Sequence, residues 1–208
     1  SPYFPYHIIV GSNGRVRLPR ARFYYWKNPD SEKNDLILLT GDSQAQTIEG
    51  QYEVTNAILD YAVKLGIKTI VTIGGYRQEA DEAPQVVAVS TSPELLERAL
   101  KAKAVASPAG NPIVGTAGLM LGLAKFRKVD ALCLLGETRG YLPDPMAARS
   151  VLEVLKGTFG FDLDLAGMDA EIARAETMVT RLQKIEEKRA LQAEETRKEE
   201  DKKTTYIS

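Results

Sequence analysis

Cysteine and histidine are all but missing from this 208-residue chain, which carries one of each, Cys133 and His7. One cysteine excludes an intrachain disulfide and fits a reducing compartment. One histidine removes the commonest general base near neutral pH, and with it most acyl-transfer schemes and zinc sites. An excess of charge of one sign is missing too. Lys and Arg total 27 against 28 Asp and Glu, a net charge of −1, so no global field draws in nucleic acid or an anionic membrane. No apolar run reaches the ~18 residues of a membrane-spanning helix, and no secretory pattern opens the chain. The expected location is the cytoplasm. No G-x-x-x-x-G-K-[ST] loop is present, no G-x-G-x-x-G follows a strand, and no G-x-S-x-G elbow occurs. The expectation is a protein without metal or cofactor.

What is present is ordinary globular composition, 44% apolar and 26% charged, in a chain long enough for one substantial core. Residues 7–26 read as a β-meander. His7–Val10 is a short strand with His7 as a packing residue, Asn13-Gly14 is a favoured tight turn, and Phe23-Tyr24-Tyr25-Trp26 is an aromatic strand at an antiparallel edge, read as packing against a core or a neighbouring subunit rather than as a stacking platform for bases. From Asp35 the pattern changes to alternating strands and helices. Leu36–Leu39 reads as a strand buried on both faces. Tyr52, Ala57, Ile58, Tyr61, Ala62 and Leu65 recur at helical spacing, with Gly66 as the stop. Ile67–Ile73 and Val86–Val89 are further strands. Ser92-Pro93 opens a helix over 94–102, and Val105 belongs to one more short strand.

The run Asn111–Ala148 is the most densely specified part. Ile113–Phe126 is an apolar helix in which Gly115, Gly118 and Gly122 allow another backbone to approach closely. Val129–Leu135 is a buried strand. Asp144 caps a helix beginning at Pro145, closed by Gly157 and Gly160. After Asp169 the character changes. Ile172, Ala175, Val179 and Leu182 fit an a/d spacing that suits an oligomer interface. From Glu194 to Lys203 nine of ten residues are charged, with Glu194–Lys198 and Glu199–Lys203 in the favourable i, i+4 order. The expectation is one long helix, docked at its start and projecting at its end. Residues 1–165 form the α/β domain and 166–208 a charged helical extension.

An enzymatic reading uses three glycine turns expected after strands: Gly41-Asp42, Gly74-Gly75 and Gly136-Glu137. Such turns gather at the carboxyl edge of an open sheet, where ligands bind. Gly74, Gly75, Asn111 and Glu137 would line a pocket for a nucleotide or sugar phosphate. Asp42, Glu137 and Asp144 would supply acids, and Thr116 or Ser43 a hydroxyl. The competing reading is that these glycines serve turn geometry and tight helix–sheet packing. It leaves Cys133 an inert buried thiol and the chain without catalytic residues.

At TIGGY (72–76) and NPIVGTAGLMLGLAKFRKVDALCLLGETRGYLPDPMAA (111–148) the chain resembles the PAC2 family, the proteasome assembly chaperones and their archaeal homologues, over most of residues 1–165. The resemblance implies a three-layer α/β/α sheet related in shape to phosphorylases and peptide hydrolases, without their catalytic residues. It implies a homo-oligomer that binds 20S proteasome α-subunits or a related protein ring. A separate reading is a purely structural partner, in which the helix 169–203 builds a hetero-oligomeric ring or cage with another protein. Activators resembling this family dock a C-terminal hydrophobic–Tyr–any tripeptide. Here the chain ends Thr204-Thr205-Tyr206-Ile207-Ser208, with tyrosine third from the end rather than second, and Tyr206, Ile207 and Ser208 are the partner-binding candidates.

Overall fold

A computed structural model describes residues 3–30, 32–78, 84–140 and 142–204. Their backbone forms strands β1 (Ile9–Val10), β2 (Val16–Arg17), β3 (Ala21–Trp26) and β4 (Leu36–Gly41), helix α1 (Ile48–Lys64), strands β5 (Thr69–Arg77) and β6 (Val86–Ser90), helix α2 (Pro93–Lys101), strand β7 (Val105–Ala106), helix α3 (Thr116–Phe126), strand β8 (Asp130–Thr138), and helices α4 (Pro145–Phe159) and α5 (Gly167–Thr204). The fold class is α/β. A sheet in the order β5-β8-β6-β7 carries the expected strands, with β6 and β7 parallel. β1 with β2 and β3 with β4 form two separate antiparallel ribbons.

The chain divides into two compact units, and β5, β6 and β8 each give residues to both. The first unit holds residues 1–72, 89–96 and 107–133. Its core joins Leu59 and Ala62 of α1, Met120, Leu121 and Ala124 of α3, and Leu132 and Cys133 of β8, all buried. Helix α1 starts where Thr47 accepts the Gly50 N–H at 3.0 Å, satisfying one orphan amide of the first turn. Arg127, just past α3, reaches back to α1 and donates to Asn56 at 2.8 Å and to Asp60 at 3.0 Å. Gly118 allows the close approach its spacing suggested: a Cβ there would stand 2.2 Å from the Ile113 carbonyl oxygen. Gly122 faces open space instead, and Gly115 holds φ +88°.

The second unit holds residues 73–88, 97–106 and 134–208. Val86, Ala88, Ala99, Ala104, Leu134, Ala147, Val151 and Val154 are its buried apolar residues. Asp144 caps α4 as expected, accepting the Ala147 N–H at 2.9 Å, with Pro145 in the first turn and Gly160 closing the helix in the left-handed region. Gly157 does not close α4. It lies inside the helix, where a Cβ would meet the Ala102 Cβ at 2.8 Å, so its smallness serves packing. Helix α5 begins against α4, and Arg149 of α4 pairs with both Glu153 and Asp169. The helix spans 38 residues, on the order of 55 Å at ~1.5 Å per residue.

Three expectations fail in the ribbons. Leu36–Leu39 is not buried on both faces: β4 pairs antiparallel with β3, and Leu38 and Leu39 are exposed. β3 therefore joins β4 rather than continuing a meander from β2. His7 is exposed ahead of β1 rather than packed within a strand.

Candidate functional site

The glycine turns of the enzymatic reading are the first place to test for chemistry, and two of the three are not turns. Gly74 and Gly75 lie inside β5, and Gly136 and Glu137 inside β8. The apolar run ended where the glycines began, but the strand ladder continues through them. Packing explains their smallness. A Cβ on Gly75 would stand 3.0 Å from Thr138 Cγ2, and one on Gly136 would stand 3.0 Å from Val151 Cγ2 and 3.2 Å from the Ala147 carbonyl of α4. Glycine in a strand commonly marks such close approach.

The candidate acids are occupied by structural bonds. Glu137 is 4% exposed. Its carboxylate accepts the Gln85 N–H at 2.9 Å while its own N–H donates to the Gln85 carbonyl at 2.9 Å. The pair brackets the backbone entering β6. Burial, with Glu137's charge in second place, pushes the Tyr76 phenol up from its ordinary value. Asp144 caps α4 and also accepts the Thr138 hydroxyl at 2.9 Å. Asp42 receives a two-pronged contact from Arg17 at 2.5 and 2.9 Å and the Arg20 N–H at 2.8 Å. The Arg17 hydrogen bond holds its carboxyl below the usual range.

The hydroxyl candidates follow suit. Thr116 donates to the Gln44 side-chain oxygen at 3.0 Å, and its N–H reaches the same oxygen at 3.3 Å. That oxygen takes up an amide at the start of α3. The Ser43 hydroxyl is buried and has no hydrogen-bond partner among the described residues. Asn111 lies in the first unit, its N–H on the Pro108 carbonyl at 3.4 Å. Cys133 is fully buried, and burial pushes its thiol up, partly offset by a hydrogen bond with Thr72. Among the described residues no group of three or more His, Cys, Asp or Glu stands placed to hold a metal ion, and no helix is long and apolar enough to cross a membrane.

The protein-binding candidates stand on α5. Ile172, Ala175 and Val179 are half-buried in a helix whose neighbouring positions are exposed, which gives a narrow stripe. Ile172 also lines a groove of about 370 Å³ beside Met146, Arg149, Ser150 and Glu153 of α4. The stripe's first residue thus already faces its own chain. The side chain of Leu182, and all of Tyr206, Ile207 and Ser208, lie outside the described residues.

Sequence reasoning missed the open surface of the β3–β4 ribbon. Phe23 touches Tyr61 of α1, ring centroids 5.0 Å apart, yet Phe23, Tyr24, Tyr25, Trp26 and Leu38 all stand exposed. The signal was available: Phe-Tyr-Tyr-Trp has no polar alternation, so both faces of the strand are apolar.

Known proteins share this architecture. The chain spans nearly all of its alignment with an uncharacterised protein of Methanocaldococcus jannaschii, 29% identical over 205 residues, covering 98% of this chain and 78% of that protein. The crystal structure of Pyrococcus furiosus PbaB, an archaeal proteasome activator, is 34% identical with a TM-score of 0.82, covering 88% of this chain and 79% of the other. Pyrococcus furiosus PbaA, an archaeal homologue of proteasome-assembly chaperone, shares the fold at a TM-score of 0.71 and 24% identity, over 100% of this chain and 81% of the other. The PAC2 family model matches residues 1–185, from the ribbons well into α5. With that match spanning every strand and most of the helices, the chain belongs to the PAC2 family.

Proposed function

We propose that this chain is a non-enzymatic, oligomeric relative of the proteasome-assembly chaperones that binds 20S proteasome subunits. The observation that carries the reading is its likeness to PbaB, 34% identical at a TM-score of 0.82, a protein described as a proteasome activator. The side chains agree with a scaffold role. Asp42, Glu137 and Asp144 each spend their carboxylates on a guanidinium, a strand entry or a helix start, which leaves little for acid–base chemistry at Gly74, Gly75 and Asn111.

In this reading α5 is the arm. It docks at Arg149 and runs through a helix of 38 residues, on the order of 55 Å at ~1.5 Å per residue, with Tyr206, Ile207 and Ser208 following in the sequence. Those residues are the contact with the proteasome α-subunits. The stripe Ile172, Ala175, Val179 and Leu182 joins copies of the chain. Several arms on one oligomer bind a ring partner with avidity ~10²–10⁴ beyond a single contact.

The test is to mix the full chain, and a chain lacking Thr204–Ser208, with purified 20S particles and to follow binding by co-sedimentation. The full chain is expected to co-sediment, and the shortened chain to keep its helical content while losing binding at least tenfold. Absence of binding by the full chain overturns the proteasome reading. Equal binding by both chains moves the contact away from the tail.

A further inference from the structure

We infer that Asn13 is a covalent modification site, where the side-chain amide is lost in the folded protein to give aspartate and isoaspartate, independent of proteasome binding. Asn13-Gly14 lies in the turn joining β1 to β2, and asparagine is among the chemically labile side chains. The Gly14 nitrogen attacks Asn13 Cγ and gives its proton to hydroxide. The bond from Cγ to the side-chain nitrogen breaks, and that nitrogen takes a proton from water and leaves as ammonia. A five-membered imide then bridges Asn13 and Gly14. Water opens it at either carbonyl: attack at Cγ leaves aspartate, and attack at the main-chain carbon leaves isoaspartate. The balance is amide plus water giving acid plus ammonia, with no oxidant or reductant.

The turn supplies the parts this chemistry needs. Gly11, Ser12, Asn13, Gly14 and Arg15 are all exposed, so water and hydroxide reach the reacting atoms. Gly14 has no Cβ, and one built there would meet nothing within 4 Å, so no side chain shields its nitrogen. The Arg15 N–H donates to Asn13 Oδ1 at 3.1 Å. That donor already sits on the oxygen that takes up negative charge when Cγ is attacked, as in an oxyanion hole. The Gly14 N–H is held on the Gly11 carbonyl at 2.9 Å, and attack waits for this bond to open. The ribbon behind it has only the pairs Ile9 with Arg17 and Val10 with Val16. So short a ribbon is marginal in water and opens locally at little cost.

The other asparagines lack this combination. Asn28 and Asn111 precede Pro29 and Pro112, whose nitrogens carry no proton to give up. Asn56 lies inside α1, where the helix ladder occupies the next N–H, and its side-chain oxygen accepts from Arg127 at 2.8 Å. Asn34 precedes Asp35, whose Cβ crowds the nitrogen and whose carboxylate opposes loss of its proton. Conversion at Asn13 adds a negative charge beside Arg15. The isoaspartate product also routes the main chain through Cβ and Cγ, a methylene longer than before. The closing bonds, Gly14 N–H to the Gly11 carbonyl and Gly11 N–H to the Arg15 carbonyl, are built on the shorter path. Isoaspartate therefore loosens the ribbon from which Arg17 reaches Asp42.

The experiment incubates the full chain in native buffer at mildly acidic and mildly alkaline pH, with far-UV circular dichroism to show that it stays folded, beside a sample unfolded in urea. Mass spectrometry of proteolytic peptides locates each amide converted to acid, and enzymatic methylation counts isoaspartate. The folded chain is expected to convert at Asn13 and at no other asparagine, faster in alkali, at a rate within about tenfold of the unfolded sample. Asn13→Gln, which must close a larger ring, is expected to convert about tenfold or more slowly at unchanged circular dichroism. Hydrogen exchange over residues 9–17 is expected to quicken in the isoaspartate fraction. The inference is overturned if Asn13 stays intact in the folded chain while the unfolded chain converts, since the turn then locks the amide. Conversion of Asn34 or Asn56 as fast as Asn13, or a rate that pH does not move, overturns it equally.

Discussion

Replacing Gly118 by alanine should destabilise the first unit, while the same change one turn later in α3 should stabilise it. At Gly118 a Cβ would stand 2.2 Å from the Ile113 carbonyl oxygen and 2.9 Å from its carbon. Those are backbone atoms, so relief requires moving the chain that leads into the helix rather than turning a side chain. Overpacking of this kind costs ~1–3 kcal/mol. Alanine recovers ~1 kcal/mol of helix propensity over glycine, leaving a net loss of about 0–2 kcal/mol. At Gly122 a Cβ would meet nothing within 4 Å, so only the propensity gain of ~1 kcal/mol applies. Gly122→Ala should therefore exceed Gly118→Ala by ~1–3 kcal/mol, a difference that does not depend on the wild-type baseline. Urea unfolding followed by far-UV circular dichroism, at one protomer concentration to hold assembly fixed, reads it as a difference in midpoints. A midpoint for Gly118→Ala at or above that of Gly122→Ala would refute the reasoning.

Two further outcomes follow from the bonding. The Arg17 hydrogen bond lowers the Asp42 carboxyl pKa, so the pair's contribution is present above the unfolded value of ~3.9 and lost as pH falls through the folded value. Urea midpoints of the wild type should drop more steeply below about pH 4 than those of Asp42→Asn, and parallel acid slopes would contradict this. Cys133 is fully buried with its thiol pushed up, so it should react with an aromatic disulfide reagent only after denaturant is added, and rapid labelling in native buffer would show the site to be open.

The elements legible in the sequence were those with a local physical signature. Asp144-Pro145 at one end of α4 and Gly160 at the other use side-chain capping, a preset φ and a left-handed stop. The buried strand through Cys133 and the helix ending before Gly66 were equally readable from apolar spacing. Glycine carried two meanings that sequence alone does not separate. At Gly66 and Gly160 it permits positive φ, whereas at Gly75, Gly136 and Gly157 it makes room for a neighbouring side chain or carbonyl. The expected turns at Gly74-Gly75 and Gly136-Glu137 failed on that ambiguity, and with them the premise that their neighbours lie free at a loop edge. The run Leu36–Leu39 failed for a different reason. Its composition shows that both faces are apolar but not what covers each, and in the ribbon with β3 both faces keep exposed side chains, with Phe23 touching Tyr61 on one of them. Glu137 was legible as a candidate but not as a bracket for Gln85, because the two lie 52 residues apart.

Native mass spectrometry of the full chain titrated into intact 20S particles addresses the central claim most directly. A complex whose mass equals one 20S particle plus a whole oligomer of this chain at one or both ends is the predicted result. Two species that remain separate at every ratio, each at its own mass, would contradict it.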